Sequence, residues 1–552
     1  SWLPRLIKKL VPDLPLEQGC GRKGQGSSEH LWAFMAMVED VIDGRDGQNT
    51  KEAFAMFADL HKCYDQVWRD GLFLALYAQG VRGPMLEMIK AWLEGAEAQT
   101  SWRGTKGPMV QQEQGLRQGC VLSPILFCAF ANTFLLKAPT KEVPQEMEEV
   151  VQEFLGQGLQ RLEGTDHGIN CPALARRFMT TLFMDDTTLM SPTKRGLEAE
   201  LEVYLNFCRK MRMRLNTDKS KVMHFTRKGA DQNQPVAVTA GGKTFTTPKV
   251  AEGGTMTHRH LGFHLDQKLT GTSHLHRMRG MSRGKEETLE VLGRQSEELA
   301  VLSLETRVGP SFCNNMELVK NLHTDPVGEK MRAGFVQGIR AAMGVKREVS
   351  HTGANLGLQP LLTETEVCPW DIQVKAQAVR LAGKLRQGQV NAPSNKLAGE
   401  LGKALAEAKL GATGRTKENS FLQGALVHAR RWNTPFAQPV GMMEKQDWKL
   451  GLRAAVKEEV SNVGAGSLHL RQEAPEEGGR QANTKFVQLV NRTHVGKEAQ
   501  RMRELIPSRT LRAGVKNLKL GAVQQARGSQ AKTQKGWATL GEDMQTRLLK
   551  CP

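Results

Sequence analysis

The sequence predicts an α+β fold over residues 1–270, a helical region over 271–390, and a basic segment over 391–552 that reads as helical or partly disordered. Three observations carry this. Short apolar runs that end in acids, at 53–58 and on both sides of Asp185-Asp186, have the length of buried strands rather than of helices. Apolar residues recur at helical spacing between and after them, as in Leu197, Leu201, Tyr204, Leu205, Cys208 and Met211. The net charge of +18 is concentrated late: residues 371–552 hold 31 Lys/Arg against 15 Asp/Glu, and the rest of the chain 45 against 43.

At 552 residues the chain exceeds one ordinary core, so about two to four domains are expected. The nine cysteines are scattered without a Cys-x-x-Cys pair, which argues against a zinc ribbon or disulfide framework and fits a reducing compartment. No apolar run reaches the ~18 residues of a membrane span, and no secretory signal is visible. The basic excess suggests contact with a polyanion, most often nucleic acid; a solubilising basic surface is the plainer alternative.

In chain order, Leu3, Leu6, Ile7 and Leu10 predict a first helix that ends near Pro12 and Pro15. A Gly-rich basic loop over 19–28 follows, able to approach phosphates through backbone N–H groups and Arg22, or simply a turn. Ser28 reads as the N-cap of a helix through Ile42. The run 53–58 is a buried strand with Asp59 at its end, placed either as a metal ligand or as a helix cap. Two amphipathic helices over 72–92 break near Gly80 and Gly83-Pro84. A hairpin turns at 103–107, and the glycines of Gln114-Gly115-Leu116-Arg117-Gln118-Gly119 let backbone pass close to another group. Ser123-Pro124 opens an apolar helix to Leu136. Residues 141–168 read as a polar surface insertion. Residues 178–183 form a strand that delivers Asp185 and Asp186 to a tight turn, where two adjacent anions invite a hard divalent cation or merely a solvated turn. A helix over 197–213, a turn and alternating strand over 215–225, a hairpin over 236–245 and a short strand over 260–265 complete the first part.

This order of parts resembles a palm-type (right-hand) polymerase, and the details resemble the reverse transcriptases of non-LTR (LINE-like) retrotransposons over about residues 10–370. FADLHKCYDQVWRDGL looks like that family's first palm motif, F-x-D-L-x-K-A-F-D-x-V, and QGLRQGCVLSPILF looks like its second. FMDD resembles the aromatic-x-Asp-Asp box, LNTDKSKVMHF the following Asn/Lys motif, and HLGFHLD the primer-grip strand. CGRKGQGSSEHLWAF resembles the GFRxGRST segment that precedes the first palm motif. Cys20-Gly21 stands for the usual Gly-Phe, Cys63-Tyr64 for Ala-Phe and Met184 for a common Ala; none of these removes a carboxylate. The family's upstream Arg-Pro-Ile fingers segment is not found in these residues, so the resemblance implies an N-terminally truncated enzyme with partial fingers.

The resemblance implies partial fingers and palm over 1–270, a thumb over 271–390, and RNA-directed DNA polymerisation of deoxynucleotides onto a primer 3′-OH. Asp59, Asp185 and Asp186 match the acids that hold two Mg²⁺ ions, with Mn²⁺ as an alternative. Lys219 matches the lysine proposed to protonate pyrophosphate, its alternative being a solvated turn residue. Tyr64 matches the gate against a ribose 2′-OH; Gln118, Gly119 and Arg22 match nucleotide contacts; Leu261 and Gly262 match the primer grip. The implied partners are an RNA template, a DNA primer or target and dNTPs, with no membrane; an endonuclease domain outside these residues is left open. The implied location is intracellular, in the nucleus or a cytoplasmic ribonucleoprotein. The rival reading is an inactive remnant, or a domesticated protein, that only binds nucleic acid.

Overall fold

The computed structural model describes residues 3–10, 14–21, 25–47, 50–136, 138–156, 162, 167–227, 235–250, 255–295, 297–320, 322, 326–342, 367–387, 400–401, 452 and 454–456. These divide into two compact units, the first built mainly from residues up to Ser273, the second beginning at His274. Arg22 and nearly all of 391–552 lie outside the described residues.

The first unit opens with α1 (Leu3–Leu10) and α2 (Ser27–Ile42), then β1 (Glu52–Ala58), α3 (Arg69–Ala78), α4 (Pro84–Glu94), β2 (Glu97–Trp102), β3 (Thr105–Gln111), α5 (Ser123–Asn132) and α6 (Gln145–Leu155). It continues through β4 (Ile169–Cys171), β5 (Arg176–Phe178), β6 (Thr180–Phe183), β7 (Asp186–Ser191), α7 (Lys194–Lys210), β8 (Lys221–Thr226), β9 (Ala237–Ala240), β10 (Lys243–Thr246), β11 (Thr257–His260) and β12 (Phe263–Asp266).

The centre is a four-stranded antiparallel sheet in the order β6-β7-β1-β8. On one face Phe54, Met56 and Ala58 of β1 join a core with Leu126 and Phe130 of α5 and Leu197, Leu201 and Tyr204 of α7. On the other, Phe57 meets Phe34 of α2 edge-on at 5.7 Å and stacks on His258 of β11 at 4.5 Å. Cover on both faces explains why β1 is a continuous apolar run instead of an alternating one. It also corrects the expectation for 215–225: Val222 to Thr226 of β8 are all buried.

Other expectations are corrected too. The α2 cap is Gly26, whose N–H donates to the Glu29 carboxylate at 2.8 Å; Ser28 lies inside the helix. The 178–183 run is split between β5 and β6. The 260–265 strand is a hairpin, with Leu261 (φ +48°) and Gly262 (φ +83°) as its two-residue turn between β11 and β12. The insertion docks through Val151 and Leu155 of α6, which pack with Ala78 and Leu136.

The second unit holds most of α8 (Thr272–Gln295), then α9 (Glu297–Ser303), a π-helical turn (Leu304–Val308), α10 (Gly309–Phe312), α11 (Pro326–Ala342) and the start of α12 (Trp370–Gln387). Phe312 and Phe335 meet edge-on at 5.7 Å, and the buried Trp370 indole donates to the Phe312 carbonyl at 3.0 Å. Among the described residues no helix is long and apolar enough to cross a membrane.

Candidate active site

Asp59 stands one residue past β1 because the apolar run ends there. Its N–H donates to Ser220 Oγ at 3.0 Å, and its carbonyl accepts from Asn216 N at 2.8 Å. β1 pairs Ala58 with Thr187 of β7, so continuing that register brings Asp59 beside Asp186. On the other flank the β1–β8 register leads into the 216–220 turn. Phe183 pairs with Asp186, which leaves Met184 and Asp185 as a two-residue turn. Met184 takes φ +59°, a left-handed conformation that glycine adopts freely and a side chain adopts at a cost of about 1 kcal/mol or more. The hairpin therefore projects Asp185 at its tip and Asp186 at the head of β7.

The three acids share one electrostatic field. Burial, then the charges of Asp185 and Asp59, push the Asp186 carboxyl up to about 6. Cys63 Sγ donates to Asp185 Oδ2 at 3.3 Å. Burial, helped by the Asp185 charge, pushes that thiol up to about 12, so it remains S–H. Tyr64 stacks on Phe127 at 5.1 Å, and its hydroxyl donates to Met184 Sδ at 3.7 Å, so the ring leans on the same turn. Burial raises its phenol well above the usual range.

The donor set, three carboxylates, suits a hard divalent cation, whose charge would offset the burial and the two neighbouring anions that raise Asp186. The side chains are not closed around such an ion: among the described residues no three His, Cys, Asp or Glu groups stand close enough to share a metal. Asp185 is instead engaged by Cys63.

Gln118 and Gly119 lie in an exposed loop held to the Tyr64 turn by Leu116 N to Tyr64 O (2.7 Å) and Gly115 N to Val67 O (2.9 Å). Gln118 Nε2 donates to Asp65 Oδ1 at 3.4 Å. Gly119 takes φ +80° with open space where a Cβ would be. Lys219 is exposed, its N–H capped by Asn216 Oδ1 at 3.3 Å. Leu261 and Gly262 turn a separate two-stranded hairpin, β11–β12. The structure thus brings Asp59, Tyr64, Asp185 and Asp186 together, with Gln118 and Gly119 adjoining.

Sequence reasoning missed the support beneath the hairpin. Residues 17–19 form a parallel bridge to β6: Gly19 N donates to Leu182 O at 2.7 Å, and Leu182 N to Glu17 O at 3.0 Å. The fully buried Gln18 donates to Asn132 Oδ1 of α5 at 3.0 Å, and Glu17 pairs with Arg176 at 2.7 Å. His30 packs on Phe183 at 5.4 Å and so close to Gly19 that a Cβ there would overlap the ring. A single bridge leaves no periodicity to read; the one signal was an isolated Gln before the Gly-rich loop.

Residues 27–293 match the family model described as reverse transcriptase (RNA-dependent DNA polymerase). Among curated proteins, the chain is 23% identical over 287 residues to the RNA-directed DNA polymerase from mobile element jockey of Drosophila melanogaster, covering 50% of this chain and 26% of that protein. It is 23% identical over 283 residues to the probable RNA-directed DNA polymerase from transposon BS of the same organism, covering 49% of this chain and 25% of that protein. The chain thus spans about a quarter of the length of these relatives. A solved telomerase from Candida albicans, in complex with a fragment of telomeric RNA, superposes with a TM-score of 0.29 at 11% identity, over 72% of this chain and 57% of that one. So loose a superposition carries no argument.

Proposed function

We propose, from the premise that residues 27–293 are a reverse transcriptase domain of the non-LTR, LINE-like kind, that the protein is an RNA-directed DNA polymerase extending a DNA primer with dNTPs along an RNA template. The observation that carries this is the meeting of Asp59, Asp185 and Asp186 in one field at the end of the β7–β1 pair, with Tyr64 leaning on the same turn. In the reaction the primer 3′-oxygen bonds to the α-phosphorus of the nucleotide, and the bond to pyrophosphate breaks.

In this reading 1–270 are partial fingers and palm, and 271–390 a thumb. Asp59, Asp185 and Asp186 would hold Mg²⁺, or Mn²⁺ in its place. Bound there, the ion supplies charge neutralisation at the attacking and leaving oxygens. The chain's own groups do the rest. Tyr64, fixed by Phe127, presents a ring edge that a ribose 2′-OH would strike. Gln118 and the open Gly119 admit the nucleotide and template backbone. Lys219 delivers a proton to departing pyrophosphate, and Leu261-Gly262 steadies the primer end. The setting is intracellular, in the nucleus or a cytoplasmic ribonucleoprotein.

Primer extension on an RNA template with Mg²⁺ tests this. The wild-type chain should make cDNA, and Asp185→Asn should lower the rate about a hundredfold or more. Synthesis left intact in that variant would overturn the mechanism. The engagement of Asp185 by Cys63 favours one second reading, a remnant that only binds nucleic acid. Salt-dependent RNA binding without any extension would decide for it.

A further inference from the structure

The hairpin of β2 and β3 is a two-stranded sheet of its own, joined to no other strand among the described residues. Every residue of both strands is exposed except the half-buried Gly107. Trp102 is 76% exposed, Val110 59% and Met109 55%, an unusual display for the costliest side chains to leave in water. An isolated ribbon of this kind gains little stability from itself. Something other than core formation therefore accounts for its composition.

Its chemistry is polarised along its length. The acids, Glu97 and Glu113, lie at the base, and the cations, Arg103 and Lys106, lie at the tip. The tip is a two-residue turn, Arg103 (φ +48°) and Gly104 (φ +86°), between the paired Trp102 and Thr105. Asn or Asp ordinarily takes the first place of such a turn; an Arg there gives up local preference to set a cation at the point. Its guanidinium lies 5.8 Å from the Trp102 ring. The base is fixed by Gln112 N to Ala96 O (2.8 Å), and the loop that follows is tied to the turn of Tyr64 and Val67. Seven residues of β3 carry the tip about 20 Å from that anchor.

We infer that this ribbon holds the unpaired RNA template outside the active site, with Trp102 stacking on a base and Arg103 and Lys106 on the flanking phosphates. An exposed aromatic ring beside one cation, with a second cation paired to Ser101 on the other face of the same tip, suits a flexible single strand: the ring needs an unstacked base and the cations need a polyanion that can wrap the tip. Bases in a duplex offer no free face to the ring. The assignment of the strand as template rests on the polymerase reading; the stacking itself does not.

The test uses the full chain, without nucleotides, and fluorescence anisotropy of a labelled DNA primer annealed to RNA. One substrate is blunt, and the other carries about ten unpaired 5′ template nucleotides, enough for one strand-binding platform. The wild type should prefer the overhang. Trp102→Ala should bind it at least about fivefold more weakly while binding blunt duplex unchanged, and Trp102→Phe should retain most of the preference. Replacing Arg103 and Lys106 by Gln should lower the salt slope of overhang binding by about 0.7 per lost phosphate contact. The exposure of these side chains keeps the variants foldable, which an unchanged thermal midpoint checks. Equal binding of both substrates by the wild type, or a Trp102→Ala variant equal to it, overturns the inference. So does unchanged RNA binding with weakened self-association in sedimentation, which would give the tip to a protein partner. A chain that binds the overhang through Trp102 yet extends no primer overturns the polymerase reading and leaves this one standing.

Discussion

Cys63 stands where the polymerase motif that this stretch resembles has Ala, and its thiol donates to Asp185. A thiol is a weak donor, so this bond to the carboxylate is worth about 1 kcal/mol, which would be given up if Asp185 turned to a cation as proposed. Cys63→Ala should therefore lower the Mg²⁺ concentration for half-maximal extension about two- to tenfold; a midpoint that stays or rises would sink the idea. His30 poses the opposite problem of a buried base. Its ring nitrogens have no hydrogen-bond partner among the described residues, and burial lowers it to about 4 from an unfolded value of 6.5. Between those values the unfolded chain binds the extra proton, so this contribution is full above pH 6.5 and is lost as pH falls toward 4, about 3 kcal/mol in all. His30→Leu should flatten the wild-type loss of stability in that window by about one proton, read from urea unfolding at pH 7 and 5. An unaltered pH slope would show that the ring is hydrated or paired in solution.

At the scale of elements, the β6–β7 hairpin leans on a segment far from it in sequence. Residues 17–19 add a short parallel edge to β6, and Gln18 ties that edge to Asn132. Gln18→Leu leaves the buried Asn132 carbonyl without this donor and should destabilise the first unit by about 1–3 kcal/mol. Because the edge ends two residues before Met184, the rate of extension should fall more than primer-template affinity does. A variant with full stability, or one that loses affinity alone, would refute the role. Such supports were illegible in the sequence for a physical reason. β1, the β6–β7 hairpin and α7 are long enough to show themselves as an apolar run, a polar break or a helical period. The Gln18 bridge, the Cys63 bond and the Gly26 cap are single contacts, set by which chain happens to pass nearby. Leu261-Gly262 misled in another way: alternating apolar residues on both sides looked like one strand, while positive φ at both positions makes them a turn. The acids of the site are legible because each stands where an apolar run breaks, Asp59 after β1 and Asp185-Asp186 between β6 and β7; the cysteine bonded to Asp185 is not.

For the whole molecule the deciding quantity is charge. Residues 371–552 carry 31 of the 76 Lys/Arg but only 15 of the 58 Asp/Glu, so most of the net +18 comes from the last third. A solubilising surface and a nucleic-acid contact make different demands on such a segment. Solubility depends on total charge and tolerates any arrangement. Phosphate contact releases counterions, and each contact made to a single strand adds about 0.7 to the slope of log K against log salt. Replacing Arg509, Arg512, Lys516 and Lys519 together by Gln removes four of the nine Lys/Arg of residues 501–535, which hold one acid, and leaves the three carboxylates in place. If that stretch grips RNA, the salt slope of binding should fall by up to about 3, while extension at saturating template stays near wild type. If the slope is unchanged and only solubility declines, the basic third serves as solvated surface, and RNA is held by the first unit alone.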